Sequence, residues 1–180
     1  MRKALSPFRQ AAAAVAFLLP ALAFTAHAQD TAALAPLRFL VGSWRAHGGG
    51  APGTGTGAYT FEPALRGRVI VRKSFADYPA SAGTSAYRHD DLMIIHAESD
   101  SAAGADYYDS EGHVIRYDVR VVRPGEAVFT SRAGAGETRY RLTYRLSAGG
   151  TLGGTFEVAP PGGAFATYLS WTSEQAIPGQ

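Results

Sequence analysis

The sequence of 180 residues predicts an all-β fold, an antiparallel up-and-down β-barrel of eight to ten strands with a short N-terminal helix. The first observation is strict alternation, since aromatic or aliphatic residues take every second position from Tyr140 to Leu146 and Arg or Thr the others. The second observation is that the turn-forming residues Gly, Pro, Asp and Ser cluster between the apolar segments. Short connections and one-sided alternation favour an antiparallel meander. Closure into a barrel would remove its exposed edges, and a two-sheet sandwich is the structural alternative.

Residues 1–28 have the three parts of a secretory signal peptide. A basic start containing Arg2, Lys3 and Arg9 precedes an apolar run, and Ala26-His27-Ala28 offers a cleavage site. The run is shorter than the ~20 residues of a membrane-spanning helix. We therefore expect export to the bacterial periplasm or the medium. The barrel domain is predicted at 29–175, with no membrane span after cleavage and a disordered tail at 176–180.

Loss of the signal peptide changes the charge balance. The whole chain has 17 Lys and Arg against 15 Asp and Glu, but the three basic residues of the signal leave 14 against 15, a net charge of −1. This balance gives no reason to predict nucleic-acid binding, which requires a basic surface. The chain has no Cys, which excludes disulfides and thiolate chemistry.

The elements follow in order along the chain. Leucines spaced by three in Thr31–Leu40 predict a short helix or 3₁₀ segment. The glycine-rich segment Gly48–Gly57 is predicted to be a loop, as is Pro79–Ser85. Four further segments alternate as strands do, and the residues that share one face of each are as follows. The first segment has Val69, Val71 and Phe75, opposite Arg66, Arg68 and Arg72; the second has Ile115, Tyr117, Val119 and Val121; the third has Leu152, Phe156 and Val158; and the fourth has Phe165, Thr167, Leu169 and Trp171.

The entry to the domain resembles that of lipocalin-like (calycin) barrels. A leucine-rich turn at residues 37–41 leads into Gly42-Ser43-Trp44, and in such barrels the Trp of a Gly-x-Trp motif plugs the closed end. The Tyr-rich segment 107–112 and the closing segment 168–171 extend the resemblance to a family of secreted bacterial barrels related to nitrobindin. The resemblance covers residues 37–174 and implies structural roles for Gly42 and for Trp44 at the barrel floor.

Nitrobindin-type proteins hold a haem through a His near their C-terminal strands. The segment Ala164–Trp171 contains no His, so we predict no cofactor.

The sequence offers no complete catalytic or metal motif. His47-Gly48-Gly49-Gly50 matches an oxyanion loop but lacks the G-x-S-x-G nucleophile segment that would accompany it. His89-Asp90-Asp91 and His96-x-Glu98 contain metal-ligand residue types at ordinary strand spacing. The acidic turn at 106–112 does not meet the spacing of a calcium loop. We predict no metal and no catalytic residue, and leave open whether the protein is an enzyme.

Aromatic residues on the strands are the strongest indication of function. Inward-pointing aromatics would form an apolar lumen with scattered hydroxyl groups, the composition of a small-molecule pocket. The residues predicted to line it are His96, Tyr117, Tyr140, Tyr144 and Trp171. Five arginines alternate with the apolar residues of their strands and are predicted to lie on the solvated outer surface: Arg116, Arg120, Arg139, Arg141 and Arg145.

The hypothesis is therefore an exported barrel that encloses a small, mostly apolar molecule. Two alternatives remain: an envelope interaction protein whose barrel is filled by side chains, and an isomerase or hydrolase at the barrel mouth with His96 or His89 as base. The oligomeric state is unknown from sequence.

Overall fold

The computed structural model describes residues 32–81 and 83–176, so the predicted signal peptide and nearly all of the predicted tail lie outside the described residues. Ten antiparallel strands pair in sequence order, and β1 pairs with β10 to close the barrel. The strands are β1 (Gly42–Gly50), β2 (Gly53–Ala64), β3 (Val69–Tyr78), β4 (Tyr87–Ala97), β5 (Ala103–Asp109), β6 (Val114–Arg123), β7 (Glu126–Ser131), β8 (Arg139–Leu146), β9 (Leu152–Ala159) and β10 (Ala166–Gln175). The all-β barrel is confirmed, and its closure excludes the sandwich.

The predicted short helix is a 3₁₀ segment, Ala35–Leu40, and a second 3₁₀ turn occupies Leu65–Gly67. Leu34, Leu37 and Leu40 are almost fully buried. The leucine spacing of three matches the 3.0 residues per turn of a 3₁₀ helix, which places all three on one face. Among the described residues, no helix is long and apolar enough to cross a membrane.

The 3₁₀ segment and Trp44 close one end of the barrel. Trp44 is buried, and its indole N–H donates to the Leu40 carbonyl oxygen at 2.9 Å. Gly42 has a φ of 141°, a conformation that favours glycine, at the point where the 3₁₀ segment turns into β1. The structural roles that the resemblance implies for Gly42 and Trp44 stay a prediction.

The prediction of a loop at Gly48–Gly57 is wrong, because most of this segment lies in β1 and β2 around the turn at Ala51 and Pro52. Glycine composition suggested a loop, but cross-strand pairing decides the conformation here. A Cβ atom on Gly57 would lie 2.1 Å from the Phe75 carbonyl oxygen of the next strand, so close approach of β2 and β3 requires glycine at this position.

A bulge in β10 corrects a second prediction. The register shifts between Thr167 and Leu169, so Thr167 pairs with Glu157 while Leu169 pairs with Phe156. Residues on the two sides of Tyr168 therefore exchange faces. Phe165 and Thr167 do not share a face with Leu169 and Trp171, as strict alternation had predicted.

Candidate functional site

The lumen contains a cavity of about 610 Å³ that opens at the end opposite the Trp44 floor. Pro52, Glu111 and His113, which lie in or beside hairpin turns, line its mouth. Tyr78 and Tyr87 also line the mouth, with their rings stacked at 4.8 Å. Below the cavity the lumen is filled by buried aromatic and aliphatic side chains, including Phe61, Met93, Ile95, Phe129 and Tyr144.

Small residues explain why the upper half of the lumen is open. Ala46, Gly57 and Ala76 are paired in register across β1, β2 and β3, and all three line the cavity. Gly48 and Gly55, also paired with each other, line it one pleat nearer the mouth. One wall therefore has little side-chain volume where the facing strands carry tyrosines. The glycine-rich segment creates the cavity.

Three of the predicted lining residues, Tyr117, Tyr140 and Trp171, line the cavity. Tyr144 lies beneath it, fully buried, with its ring 5.8 Å from that of Trp171 in an edge-to-face arrangement. Contact of these residues with a ligand stays a prediction.

The prediction that His96 lines the lumen is wrong, because His96 lies on the outer face of β4. Its neighbour Ile95 is fully buried in the core, and successive strand residues point to opposite faces. The His96 Nε2 lies 3.6 Å from the Asp106 carboxylate, whose other oxygen is 3.8 Å from Arg116. His96 is therefore part of a surface charge cluster and does not line the lumen.

Sequence reasoning missed the buried ion pair of Arg72 and Asp91. Arg72 shares the inward face of β3 with Ile70 and Tyr78, whereas Val71 lies on the other face. Its guanidinium forms an ion pair with the Asp91 carboxylate on β4, and both side chains are under 10% exposed. Burial alone would lower the pKa of Arg72, but the Asp91 carboxylate and the neighbouring Tyr144, Tyr107 and Tyr59 hydroxyls together outweigh burial and the pKa is raised. The position of Arg72 two residues after Ile70 was the available sequence signal for an inward side chain. The valines on the opposite face of β3 are equally apolar, so the sequence did not show which face is the inward one.

The Arg72 guanidinium also donates to Ser74 Oγ at 3.0 Å and stacks over the Tyr59 ring, 5.2 Å from its centroid. Among the described residues, its Nε is one of three buried side-chain polar atoms without a hydrogen-bond partner, together with the Tyr144 hydroxyl and the Trp171 indole nitrogen. Burial raises the pKa of Tyr59, and the nearby Ser173 hydroxyl and Trp171 N–H oppose this only in part. The contact between Trp171 and Tyr59 lacks hydrogen-bond geometry. Arg72 and Trp171 both line the cavity, and these two unpartnered nitrogens are buried within its wall.

A second polar cluster lies at the mouth around His89. Its Nδ1 is 2.7 Å from Glu111 Oε2, and its Nε2 is 3.1 Å from the Tyr107 hydroxyl and 3.7 Å from Asp91 Oδ2. The imidazole thus bridges the β5–β6 turn and the Arg72–Asp91 pair. The sequence offers His89 as a possible base or metal ligand, but only the fold brings it to Glu111.

Asp109 anchors the turn beside this cluster. Its Oδ1 accepts the backbone N–H groups of Glu111 at 3.1 Å and His113 at 2.8 Å, and its Oδ2 is 2.9 Å from His113 Nδ1. Burial would raise the pKa of Asp109, but the hydrogen bonds from His113 and the charges of His113 and His89 together lower it. The carboxylate is therefore ionised at neutral pH.

The lumen tyrosines are neutral hydrogen-bonding groups. Burial raises the pKa of Tyr107, Tyr117 and Tyr144 well above the ordinary value of 10, and the opposing effect of Arg72 is smaller. Their hydroxyls can donate or accept hydrogen bonds but do not form phenolates near neutral pH.

The residues present do not fit a haem held by a C-terminal histidine. β10 presents Leu169 and Trp171 to the cavity, and the imidazoles that line it, His47, His89 and His113, belong to β1, β4 and the β5–β6 turn.

Comparison with solved structures supports the barrel fold. The crystal structure of Rv2717c from M. tuberculosis aligns with a TM-score of 0.59 and 13% sequence identity, over 83% of this chain and 100% of that one. At this identity the likeness shows the fold alone. A redesigned β-barrel aligns with a TM-score of 0.37 and 12% identity, over 83% of this chain and 98% of that one, and carries no argument.

No family model matches the sequence, and no curated protein matches it. The class of protein defined so far is a closed ten-stranded antiparallel β-barrel whose lumen has room for a ligand.

Proposed function

We propose that this chain is an exported protein of the lipocalin-like kind that encloses a small, mostly apolar molecule in its lumen. The observation that carries the proposal is the cavity of about 610 Å³, open at one end and walled by aromatic side chains. Small-molecule pockets typically have ~300–1,000 Å³ and an apolar lining with a few placed polar groups. Enclosure supplies the binding energy, at ~25 cal/mol for each Å² of apolar surface removed from water, before ordering costs.

The two buried donors narrow the ligand class. An unpaired buried donor costs ~1–3 kcal/mol, and a ligand oxygen that accepts from it recovers this cost. Arg72 and Trp171 both line the cavity, but Arg72 Nε and Trp171 Nε1 have almost no accessible surface, so a ligand oxygen reaches them only when these side chains shift. We expect the ligand to have an apolar body and at least one acceptor oxygen, with that oxygen directed toward Arg72 and Trp171.

The structure weakens both alternatives. A filled barrel predicts no cavity, whereas the upper lumen is open. For the barrel-mouth enzyme, His96 is no longer a candidate base, because it lies on the outer face of β4 beside Asp106. His89 remains at the mouth, where it contacts Glu111 and Tyr107, and we do not propose catalysis there.

Native mass spectrometry of protein purified from the periplasm is the direct experiment. We expect additional mass that is lost on denaturation, and its value would identify the ligand class. A spectrum of unliganded protein, combined with failure to bind the neutral apolar dye N-phenyl-1-naphthylamine, would contradict the proposal.

A pair of tryptophan substitutions locates the binding. Ala76 lines the cavity, and Ala58 lies on the outer face, since its neighbour Tyr59 is buried inside. We expect Ala76→Trp to fill the lumen and weaken dye binding at least tenfold, while Ala58→Trp leaves it unchanged. Thermal denaturation checks that both variants fold. Equal effects of the two variants would place the dye on the surface and overturn the assignment to the lumen.

A further inference from the structure

The mouth of the lumen brings together three metal-ligand side chains from separate segments. His89 (on β4), Asp109 (at the end of β5) and Glu111 (in the β5–β6 turn) each place one donor atom within 4.8 Å of the others. The turn is held against β4 because the Ser110 N–H donates to the Asp90 carbonyl oxygen at 2.9 Å. The three residues therefore converge through strand pairing and turn hydrogen bonds.

The donors are pre-organised. The two backbone N–H groups on Asp109 Oδ1 fix this carboxylate. Its Oδ2 accepts from the Tyr107 hydroxyl at 3.4 Å and lies 2.9 Å from His113 Nδ1, and a bound metal ion would compete with these partners for that oxygen. His89 Nε2 is 3.1 Å from the Tyr107 hydroxyl. If Nε2 donates its proton there, the lone pair of Nδ1 faces Glu111, 2.7 Å away. Histidines that bind metals commonly donate their other N–H to a fixed acceptor in this way.

Local charge favours a divalent cation. Asp109 and Glu111 bring two negative charges, whereas the positive charge of Arg72 is matched by Asp91. A divalent ion bound to both carboxylates and a neutral imidazole would leave the site without net charge. Glu111 is 42% exposed, so its side chain has room to open the contact with His89 to the ~3.3 Å between donors that tetrahedral bonds of ~2.0 Å require.

We propose that His89, Asp109 and Glu111 bind a divalent transition-metal ion of the Zn²⁺ type at the lumen mouth. The imidazole ligand selects Zn²⁺ over Mg²⁺, which prefers oxygen ligands alone. Three protein ligands leave a coordination position open, and because all three line the cavity, that position is accessible from the lumen.

The alternative is that the His89–Glu111 contact is an ordinary ion pair. The barrel provides a matched control for this alternative on its outer face. His96 lies 3.6 Å from Asp106 and is exposed to a similar degree, 32% against 26% for His89. It offers a His–carboxylate pair but no third converging donor among the described residues.

Isothermal titration calorimetry of untagged, metal-stripped protein with Zn²⁺ tests the proposal. We expect one Zn²⁺ per chain and at least tenfold weaker binding of Mg²⁺. His89→Ala and Glu111→Gln should each weaken Zn²⁺ binding at least tenfold, while His96→Ala should leave it unchanged. Circular dichroism verifies that the variants keep the β-barrel.

Two outcomes would overturn the metal site. One is the absence of saturable Zn²⁺ binding below millimolar concentration. The other is an equal loss of affinity in His89→Ala and His96→Ala, which would indicate adventitious binding to surface histidines. Either outcome leaves the proposed ligand in the lumen untouched, since the dye and native-mass measurements need no metal.

Discussion

At the scale of single residues, the main finding is a charged pair inside an aromatic lumen. Arg72 and Asp91 face each other across β3 and β4 with almost no exposure. Burying two charges has a desolvation cost that their attraction offsets only with good geometry and further hydrogen bonds. The bond to Ser74 and the stacking on Tyr59 supply part of that compensation. A pair kept at this cost inside a cavity is a candidate for ligand recognition.

Removal of one partner should destabilise the barrel strongly. We expect Asp91→Asn to lower the free energy of unfolding by ~3–5 kcal/mol, because the Arg72 charge would remain buried without its counterion. Urea denaturation measures the change. The control is Asp118→Asn, which breaks an exposed ion pair with Arg132 and should have an effect of ~0–1 kcal/mol. Similar losses in both variants would show that the lumen around Arg72 is well hydrated.

At the scale of the elements, glycines and one bulge shape the lumen. A Cβ atom on Gly154 of β9 would lie 2.1 Å from the Trp171 ring, which therefore packs directly on the backbone of β9. The bulge at Tyr168 sets the register in which Trp171 faces Gly154. Trp171 takes its place at the cavity wall because its neighbour has no side chain.

Adjacent glycines of β9 offer a matched test of this packing. Gly154→Val should displace the Trp171 ring and destabilise the protein by ~1–3 kcal/mol through overpacking. Gly153→Val should be close to neutral, because a Cβ atom there has its nearest neighbour at 3.7 Å. Urea denaturation gives the stabilities, and near-UV circular dichroism reports on the Trp171 environment. If Gly153→Val proves the more damaging change, the assigned packing of Trp171 is wrong.

At the scale of the whole molecule, the barrel has a filled lower half and an open upper half. The 3₁₀ segment, Trp44 and the buried aromatics close the floor. Small residues of β1–β3 leave the mouth end open, where the acidic turn and His89 lie. This arrangement would admit the proposed ligand from one end only, and it places the proposed metal position beside that path.

Export is the corresponding prediction for the whole chain. We expect the protein isolated from the periplasm to begin at Gln29, because cleavage follows the Ala26-His27-Ala28 motif. Intact-mass measurement of the periplasmic and cytoplasmic fractions checks this. A full-length chain found only in the cytoplasm would contradict the export proposal while leaving the barrel and its cavity unaffected.

The sequence by itself determined the fold class, because alternation with a period of two and regularly spaced turn residues are local properties. It also placed Tyr117, Tyr140 and Trp171 on inward faces, since each sits in a clearly alternating segment. It did not place His96 or Arg72 correctly. In β3 and β4 both faces carry apolar residues, so alternation alone did not identify the inward one.

Only the tertiary structure decided where the lumen is open and which polar groups meet there. The openness depends on small residues of three neighbouring strands lying in one register, as Ala46, Gly57 and Ala76 do. The approach of His89 to Glu111 depends on the pairing of β4 with β5 and on the turn that follows. Both are relations between segments distant along the chain, and a local pattern cannot specify them because closure of the barrel sets the register.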